Sequence, residues 1–344
     1  MIITRTPFRI SFFGGGTDYP QWFKNYGGAI ISTSINKYCY LNCRRLPPFF
    51  GYRNRIVWSQ IETVNDINEI MHPAVREALK IMHVDGIEIH HNGDLPSRAG
   101  LGSSSSFAVG LIHALNQLTG GKSTKKNLAL SAIHLEQQIL SENVGIQDQI
   151  AAAFGGLNKI EIKVDGSFKV SPIKITIKRK QLLESSLLMF YTGISRNASD
   201  IAAEQIKQIP NKVDELRRIQ SLTYEAIDIL ESNKSLDEFG YLLHEAWTIK
   251  RSLSNLISPK FIDEIYGSAL KAGALGGKLL GAGGGGFMLF YVSPDRQKDV
   301  LNALSHLMVI PIKFENFGSQ VIFYEPDNFS KLSLSGKSFF NSIS

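Results

Sequence analysis

The sequence predicts an α+β fold divided into two domains. Segments with strand alternation and segments with the helical period follow one another without the regular strand–helix alternation of a doubly wound sheet. The chain has 344 residues, of which 43% are hydrophobic, and this length suits two globular cores of ordinary size. We expect the domains to be residues 1–183 and 184–344, because an apolar strand follows the boundary.

The first half begins with strands and continues into helices. Its first strand alternates between apolar and polar residues and runs into three glycines, and β-branched and aromatic residues fill the second. A basic segment, residues 174–180, alternates like the solvent-facing side of a further strand. The other predicted elements are strands at 2–13, 29–44, 56–59 and 86–91, helices at 66–82, 107–118 and 125–140, and a hairpin around the Asp-Gly turn at 165–166.

The second half is mainly helical. It opens with an apolar strand at 185–191 and closes with a glycine loop that leads into the apolar strand within residues 278–292. Apolar residues recur at the helical period between these strands. The predicted helices are residues 200–209, 213–231, 236–254 and 261–272.

The charge balance is mildly basic, with a net charge of +6. Such an excess suits either nucleic acid or phosphorylated metabolites. No helix-turn-helix, RNA-recognition or zinc signature accompanies it, so we expect no nucleic-acid partner. Cys39 and Cys43 lie on one face of a predicted strand without further ligands nearby, and we interpret them as small core residues.

Scarce cysteine indicates a reducing compartment. The sequence has no charged-then-apolar leader and no apolar run near 18 residues. We therefore expect a soluble cytoplasmic protein that does not interact with a membrane.

Two glycine patterns fail as nucleotide motifs. Gly121-Lys122-Ser123 resembles the end of a Walker A loop, but Asn116 stands where the first glycine belongs. The run from Gly281 to Gly286 fits G-x-G-x-x-G, yet it leads into a strand, whereas a dinucleotide-binding fold requires a helix there.

The loop from Pro96 to Ser106 differs because it follows a strand and precedes a helix. Glycines allow a sharp turn and close approach to a ligand, and the first amides of a helix bind phosphate oxygens. Four serines add hydroxyls for phosphate or magnesium; the alternative is a serine-capped helix. The predicted nucleotide-binding residues are Pro96, Gly100, Leu101, Gly102, Ser103, Ser104, Ser105 and Ser106.

Three motifs together resemble one family, the galactokinase, homoserine kinase, mevalonate kinase and phosphomevalonate kinase (GHMP) family. They are P-F-R-I-S-F-F-G-G-G-T-D at 7–18, the loop at 96–106, and K-L-L-G-A-G-G-G-G at 278–286. The resemblance implies the GHMP kinase fold, with an N-terminal ribosomal-protein-S5-like domain and a C-terminal ferredoxin-like domain. It also implies ATP and Mg²⁺ as cofactors.

The same resemblance implies the roles of individual residues. Ser104 and Glu136 would bind the metal, Asp148 would be the catalytic base, and Arg9 would bind phosphate and keep Asp148 ionised. Without the family, the alternatives are a solvated helix carboxylate for Glu136, a helix N-cap for Asp148, which is compatible with a catalytic role, and a surface arginine for Arg9. We expect the third motif, with Gly281, Gly283, Gly284 and Gly285, to support the phosphate loop by close backbone packing.

The first motif carries the evidence on substrate. Galactokinases have Glu-His where this chain has Gly15 and Gly16, followed by Thr17 and Asp18, and the change leaves room for a larger or anionic sugar. The G-G-G-T-D form, together with residues 243–254, is similar to heptose 7-phosphate kinases and to the kinase domain of fucokinases. We take Gly15, Gly16, Thr17 and Asp18 as substrate-binding residues.

The expected activity is phosphorylation of D-glycero-D-manno-heptose 7-phosphate at its anomeric hydroxyl, which supplies nucleotide-activated heptose for bacterial surface polysaccharide such as capsule. The alternatives are an L-fucokinase-like or other hexose 1-kinase and, in a different class, a non-catalytic sugar- or ATP-binding regulator.

A substrate that already carries a phosphate requires a cation at the far end of the pocket. Arg196 is the first candidate because it follows a strand in a loop; Lys250, Arg251, Arg44 and Arg45 are others. The expected partner is a small sugar or sugar phosphate. The oligomeric state stays open, with a homodimer among the alternatives.

Overall fold

Two sheets, one of nine strands and one of four, organise the chain in a computed structural model that describes residues 1–97, 99–194 and 198–326. In chain order the strands are β1 (Ile2–Phe13), β2 (Gly28–Arg45), β3 (Asn54–Val57), β4 (Ile61–Val64), β5 (Ile87–Gly93), β6 (Leu157–Ile162), β7 (Phe168–Pro172), β8 (Leu187–Tyr191), β9 (Gly276–Leu279), β10 (Phe287–Tyr291), β11 (Met308–Val309), β12 (Phe314–Glu315) and β13 (Gln320–Tyr324).

Helices cover both sheets and connect them. They are α1 (Pro20–Tyr26), α2 (Pro73–Ile81), α3 (Ser103–Leu118), α4 (Lys125–Ile133), α5 (Gln147–Phe154), α6 (Ile177–Ser185), α7 (Ala198–Gln208), α8 (Val213–Glu231), α9 (Asp237–Ser252), α10 (Lys260–Lys271) and α11 (Gln297–Ala303). A π-helical turn, His134–Ile139, continues α4. Short 3₁₀ turns lie at Ile67–Glu69, Ile209–Asn211 and Pro294–Arg296.

The large sheet is built around β2, which spans 18 residues. It pairs with β1 on one side, and on the other its first part pairs with β6 and its last part with β5. Helices α3 and α5 pack against β1 and β2. The phosphate loop, between β5 and α3, therefore lies close to the middle of β1.

The smaller sheet has the order β11-β8-β10-β9, and α9 packs on it. Strand β10 is buried along its whole length, so it forms the interior of the second half. Because β9 and β10 flank the glycines at 281–286, this sheet carries the third motif.

The chain returns to the large sheet before it ends. Strand β12 pairs with β2, and β13 pairs with β1. The predicted division into residues 1–183 and 184–344 stays a prediction, but residues 314–324 belong spatially to the sheet of the first half. Short terminal strands of this kind carry little pattern for a sequence-based boundary.

Several predicted elements are confirmed and others require correction. The strands at 2–13 and 29–44, the hairpin at 165–166 and the helix at 213–231 agree with the structure to within a residue or two at their ends. The helix expected at 66–82 begins only at Pro73, because a capped 3₁₀ turn starts at Asp66 and proline favours the first helical position. Residues 174–180 do not form a strand: Thr176 caps α6, which contains most of this basic segment.

None of the helices within the described ranges is long and apolar enough to cross a membrane.

Candidate active site

The phosphate loop turns into α3 earlier than the sequence pattern indicates. Gly102 is the N-cap residue in the left-handed conformation, with φ 72°, and the backbone N–H of Ser106 donates to its carbonyl over 2.9 Å. All four serines therefore lie in the first turn of the helix, whereas we expected the helix to begin at Phe107. The first turn is where backbone N–H groups lack helical acceptors, so the serines stand where an anion would bind.

Arg9 and Asp148 form a bidentate ion pair behind this loop. The Arg9 Nε donates to Asp148 Oδ1 over 2.8 Å, and Nη2 donates to Oδ2 over 2.7 Å. The remaining nitrogen, Nη1, donates to the carbonyl of Gly100 over 2.7 Å. Arg9 is only 4% exposed, so it is not a surface strand arginine. The pair joins β1, the loop and α5 in one polar cluster.

Asp148 is not the N-cap of its helix. Helix α5 begins at Gln147 after Ile146, so Asp148 is the second helical residue. Its side chain keeps 24% of its exposure beside the loop, where a Cβ added at Gly102 would lie 3.3 Å from Oδ2. A carboxylate held by a guanidinium and still accessible is suited to accept a hydrogen bond from a bound hydroxyl.

Glu136 occupies the π-helical turn and is buried, with 1% exposure. It accepts from Ser104 Oγ and Ser105 Oγ over 2.7 Å each and from Gln149 Nε2 over 2.5 Å. Burial raises the pKa of this carboxyl to about 7, although the two serine hydroxyls oppose the shift. Glu136 is therefore not a solvated helix carboxylate, and π turns of this kind are frequent at functional sites.

Glu136 and Ser104 fit a magnesium ion in their chemistry. Both offer oxygen donors, and the acidic side chain has only neutral hydrogen-bond donors around it. Among the described residues no cluster of three or more histidine, cysteine, aspartate or glutamate side chains could hold a metal. Magnesium in kinases is commonly bound by one or two protein oxygens together with substrate phosphates, so a two-residue set is appropriate.

The third motif packs directly beneath the phosphate loop. A Cβ added at Gly281 would lie 2.4 Å from Gly100 Cα, and one at Gly286 would lie 2.3 Å from the Ala99 carbonyl oxygen. Gly283, Gly284 and Gly285 face elsewhere: Gly283 and Gly284 approach Ile257, and Gly285 approaches Ile194. The close backbone packing expected for this motif thus occurs at its two ends, Gly281 and Gly286.

The first motif places Asp18 next to the Arg9–Asp148 pair. Asp18 is 2% exposed and accepts from the backbone N–H of Gly16 over 3.1 Å and of Gln147 over 3.4 Å. Burial and the neighbouring Asp148 raise the pKa of Asp18. Thr17 differs from our expectation: it is fully buried and donates its hydroxyl to the Gly14 carbonyl over 2.8 Å. Its side chain supports the loop from the interior.

Two buried lysines from the second half also reach the site. Lys278 Nζ donates to the carbonyls of Ser11 and Phe12 over 2.7 and 2.8 Å, at the end of β1. Lys250 Nζ donates to the carbonyl of Gly281 over 2.5 Å. Sequence reasoning missed Lys278 and assigned Lys250 only to a distal phosphate. The available signal was a lysine inside each of the two segments that carry the family resemblance, 243–254 and 278–286.

The other predicted distal cations within the described residues have partners outside the site. Arg44 pairs with Glu88 and Arg45 donates to the Asp85 carbonyl. Arg9 is opposite Ser34 in the β1–β2 register, ten residues before Arg44 on β2, so about 30 Å of strand separates Arg44 from the site. Arg251 pairs with Asp263 over 2.8 Å. Arg196 lies outside the described residues.

A cavity with room for about one water molecule lies beside the first motif. It lies between the Gly16 loop and helices α7 and α8. Its lining comprises Gly16, Tyr19, Gln205, Gln208, Ile209, Lys212, Leu216 and Leu253. Lys212 is the cation in this lining, and its Nζ donates to Glu215 over 2.8 Å.

A helix N-terminus for phosphate, an ion-paired aspartate beside it and a buried carboxylate with hydroxyl partners together define a phosphotransferase. Comparison with known families agrees: the model of the GHMP kinase N-terminal domain matches residues 66–156, and that of the C-terminal domain matches residues 224–310. The chain belongs to the GHMP kinase family, and the predicted GHMP kinase fold and phosphotransferase class are confirmed.

Individual relatives extend the comparison. The D-glycero-alpha-D-manno-heptose 7-phosphate kinase of Campylobacter jejuni is 28% identical over 320 residues, which cover 88% of this chain and 93% of that protein. The L-fucokinase/L-fucose-1-P guanylyltransferase of Bacteroides fragilis is 26% identical over 342 residues, covering 86% of this chain and 35% of that longer protein.

Among solved structures, a D-glycero-D-manno-heptose 1-phosphate kinase from Bacteroides thetaiotaomicron superposes with a TM-score of 0.78 at 23% identity. The superposition covers 94% of this chain and all of that one. At this identity the likeness is one of fold.

Proposed function

We propose that this protein is an ATP-dependent sugar 1-kinase that phosphorylates the anomeric hydroxyl of D-glycero-D-manno-heptose 7-phosphate. The observation that carries the proposal is the Arg9–Asp148 ion pair, which stands between the phosphate loop and the buried Asp18. A relative of similar length, 28% identical, carries the name of a heptose 7-phosphate kinase.

Phosphoryl transfer depends on positioning and charge stabilisation more than on covalent chemistry. The loop amides and the serine hydroxyls would hold the ATP phosphates at the start of α3. Glu136 and Ser104 would hold magnesium, which neutralises phosphate charge when bound. Asp148 would orient the acceptor hydroxyl and accept its proton, and Arg9 would hold this carboxylate in place.

Space beside Gly15 supports a sugar larger than a hexose. A Cβ at Gly15 would meet nothing closer than Gln147 Nε2 at 3.9 Å, whereas one at Gly16 would be crowded by Leu216 at 3.1 Å. A seven-carbon sugar could use this room while its hydroxyls donate to Asp18.

Lys212 supports a substrate that already carries a phosphate. It lies in the lining of the cavity beside Gly16 and keeps 27% of its side-chain exposure. Its carboxylate partner among the described residues, Glu215, is partly exposed, and an exposed pair of this kind is weak enough to yield to a dianionic phosphate. Lys212 is therefore the described residue that we propose for the distal phosphate, alongside the expected Arg196.

The test is a panel of sugars in a coupled ADP-release assay, with the wild-type protein and magnesium ATP. The panel comprises D-glycero-D-manno-heptose 7-phosphate, the unphosphorylated heptose, L-fucose, galactose and mannose. We expect the highest kcat/KM for the heptose phosphate and a product phosphorylated at C1 by nuclear magnetic resonance.

The panel also separates the alternatives. Preference for L-fucose or a plain hexose would support a different sugar 1-kinase with the same nucleotide site. Sugar binding without ADP release for every member would support a non-catalytic regulator and contradict the proposed function.

A further inference from the structure

Lys250 is a buried lysine of this site to which the proposed mechanism gives no role. It lies near the end of α9, is 8% exposed, and its Nζ donates to the carbonyl of Gly281. An ammonium can donate three hydrogen bonds and is costly to bury without acceptors. No ion pair of Lys250 occurs within the described ranges, and the Gly281 carbonyl is its acceptor there.

The position of Lys250 follows from the contacts of Gly281. Gly281 packs against Gly100, and the Gly100 carbonyl accepts from Arg9. Lys250 and Arg9 therefore approach the same point of the phosphate loop from opposite halves of the chain. Arg9 repels the Lys250 ammonium, whereas Asp18 and Asp148 attract it, so all four groups share one electrostatic environment.

Arg9 and Lys250 differ in how far their donors are already used. All three nitrogens of Arg9 donate to Asp148 or Gly100. Lys278 is likewise held by two carbonyls of β1. Among the described residues Lys278 has two carbonyl acceptors for its three N–H donors and Lys250 has one. Lys250 therefore has more hydrogen bonds left for an incoming anion to complete.

We infer that Lys250 is a catalytic residue whose ammonium contacts the phosphoryl group during its transfer to the acceptor hydroxyl. The inference rests on the proposed function for the identity of the acceptor. In the transfer, the bond from the γ-phosphorus to the bridging oxygen of ADP breaks and the bond to the hydroxyl oxygen forms. The hydroxyl proton goes to Asp148, and Lys250 keeps its proton and stabilises charge on the phosphoryl oxygens.

The pH dependence of the reaction should report on Lys250. Burial, reinforced by Arg9, lowers its pKa to about 8, while Asp18 and Asp148 oppose this shift; Lys278 on β9 is a further cation nearby. The active form is the ammonium, so activity should fall as pH rises through about 8. An arginine stays charged over this range and should move this alkaline limb upward.

The experiment compares Lys250→Met and Lys250→Arg with Arg251→Met. Arg251 is the neighbouring cation on α9, and its partner is Asp263 rather than the loop. We expect Lys250→Met to lower kcat by roughly 10²- to 10³-fold, the usual effect of removing one such donor. Lys250→Arg should retain more activity and lack the limb near pH 8, and Arg251→Met should stay within about twofold of wild type. Turnover of Lys250→Met at the wild-type rate would overturn the inference.

A measurement without sugar separates this inference from the proposed function. We expect Lys250→Met to weaken binding of magnesium AMPPNP, an ATP analogue, by about tenfold and that of magnesium ADP by less than threefold. Equal losses for both nucleotides, or none for either, would overturn the contact. If wild type phosphorylates no sugar of the panel, the proposed function fails while the AMPPNP comparison still decides the role of Lys250. If Lys250→Met does not fold, Lys250→Arg decides through its pH profile and its AMPPNP affinity.

Discussion

Two carboxylates of the candidate site, partly exposed Asp148 and buried Glu136, have opposite electrostatic surroundings. Asp148 lies in what we call the acceptor region, defined by Arg9, Asp18, Asp148 and Lys250. The Arg9 guanidinium donates two hydrogen bonds to its carboxylate. Glu136 lies in the metal region, defined by Ser104, Ser105, Glu136 and Gln149, where each of its partners is neutral.

The difference shows how the fold prepares each carboxylate for its task. The two hydrogen bonds from Arg9 fix the orientation of the Asp148 carboxylate, which suits the proposed contact with the acceptor hydroxyl. Buried Glu136 lacks a cation, and its pKa rises to about 7. A divalent ion that binds Glu136 would supply the missing positive charge, and metal binding would then release a proton.

The largest expected effect comes from removing the negative charge of Asp148. Asp148→Asn should lower kcat by about 10³-fold, because the variant cannot accept the proton of the hydroxyl. Its Kd for magnesium AMPPNP, measured by calorimetry, should stay within threefold of wild type. Substantial residual sugar-dependent turnover would remove Asp148 from the role of base.

Removing the charge of Glu136 in the metal region should lower activity and raise stability. Glu136→Gln should lose magnesium-dependent turnover and yet raise the free energy of unfolding at pH 8, measured in EDTA, by up to about 3 kcal/mol. The folded-state pKa of Glu136, about 7, lies above the unfolded value of 4.5. Stability is therefore lost as pH rises through this window, and the loss is complete above it.

A urea titration at pH 4 is the control for Glu136→Gln, because the wild-type carboxyl is then protonated and the two proteins should differ little. Destabilisation by Glu136→Gln at pH 8 would contradict the view that Glu136 is a buried carboxylate without a compensating cation.

A third change tests the backbone contact under the acceptor region. Gly281→Ala should lower the free energy of unfolding by about 2 kcal/mol more than Gly120→Ala does. Both glycines have a left-handed φ, 77° and 79°, but the new methyl group meets Gly100 at 2.4 Å in one case and nothing within 4 Å in the other. The shared φ costs about 1 kcal/mol in each variant, so the difference isolates the steric contact. Equal losses in thermal unfolding would contradict the packing of the third motif on the loop.

The smallest effect is expected at Lys212, in the cavity beside Gly16. Lys212→Met should raise KM for the heptose phosphate by about tenfold and leave KM for the unphosphorylated heptose unchanged, because one charge-assisted contact is lost. Lys207→Met on the exposed side of α7 is the matched control and should change neither value. Equal effects of Lys212→Met on the KM of both sugars would contradict the proposed contact of Lys212 with the distal phosphate.

Features carried by adjacent residues were predictable from the sequence. The strand before the phosphate loop, the glycines that turn it and the helix behind it are all encoded within about twenty residues. The family resemblance then linked this loop to Arg9, Glu136 and Asp148, and the structure brings these residues together. The start of α3 was misplaced because serines are weak helix formers, although they favour the first turn of a helix.

Charge partners that come from distant segments could not be predicted in this way. The sequence identified the mildly basic balance, the three motifs and the glycines of the third motif as a packing surface. Only the tertiary structure decided which cations reach the site: Lys250 and Lys278 do, whereas Arg44 pairs with Glu88 on a remote part of β2. The physical reason is that an electrostatic interaction depends on distance and burial, which the folded chain determines, while backbone geometry at a glycine is set by the residue itself.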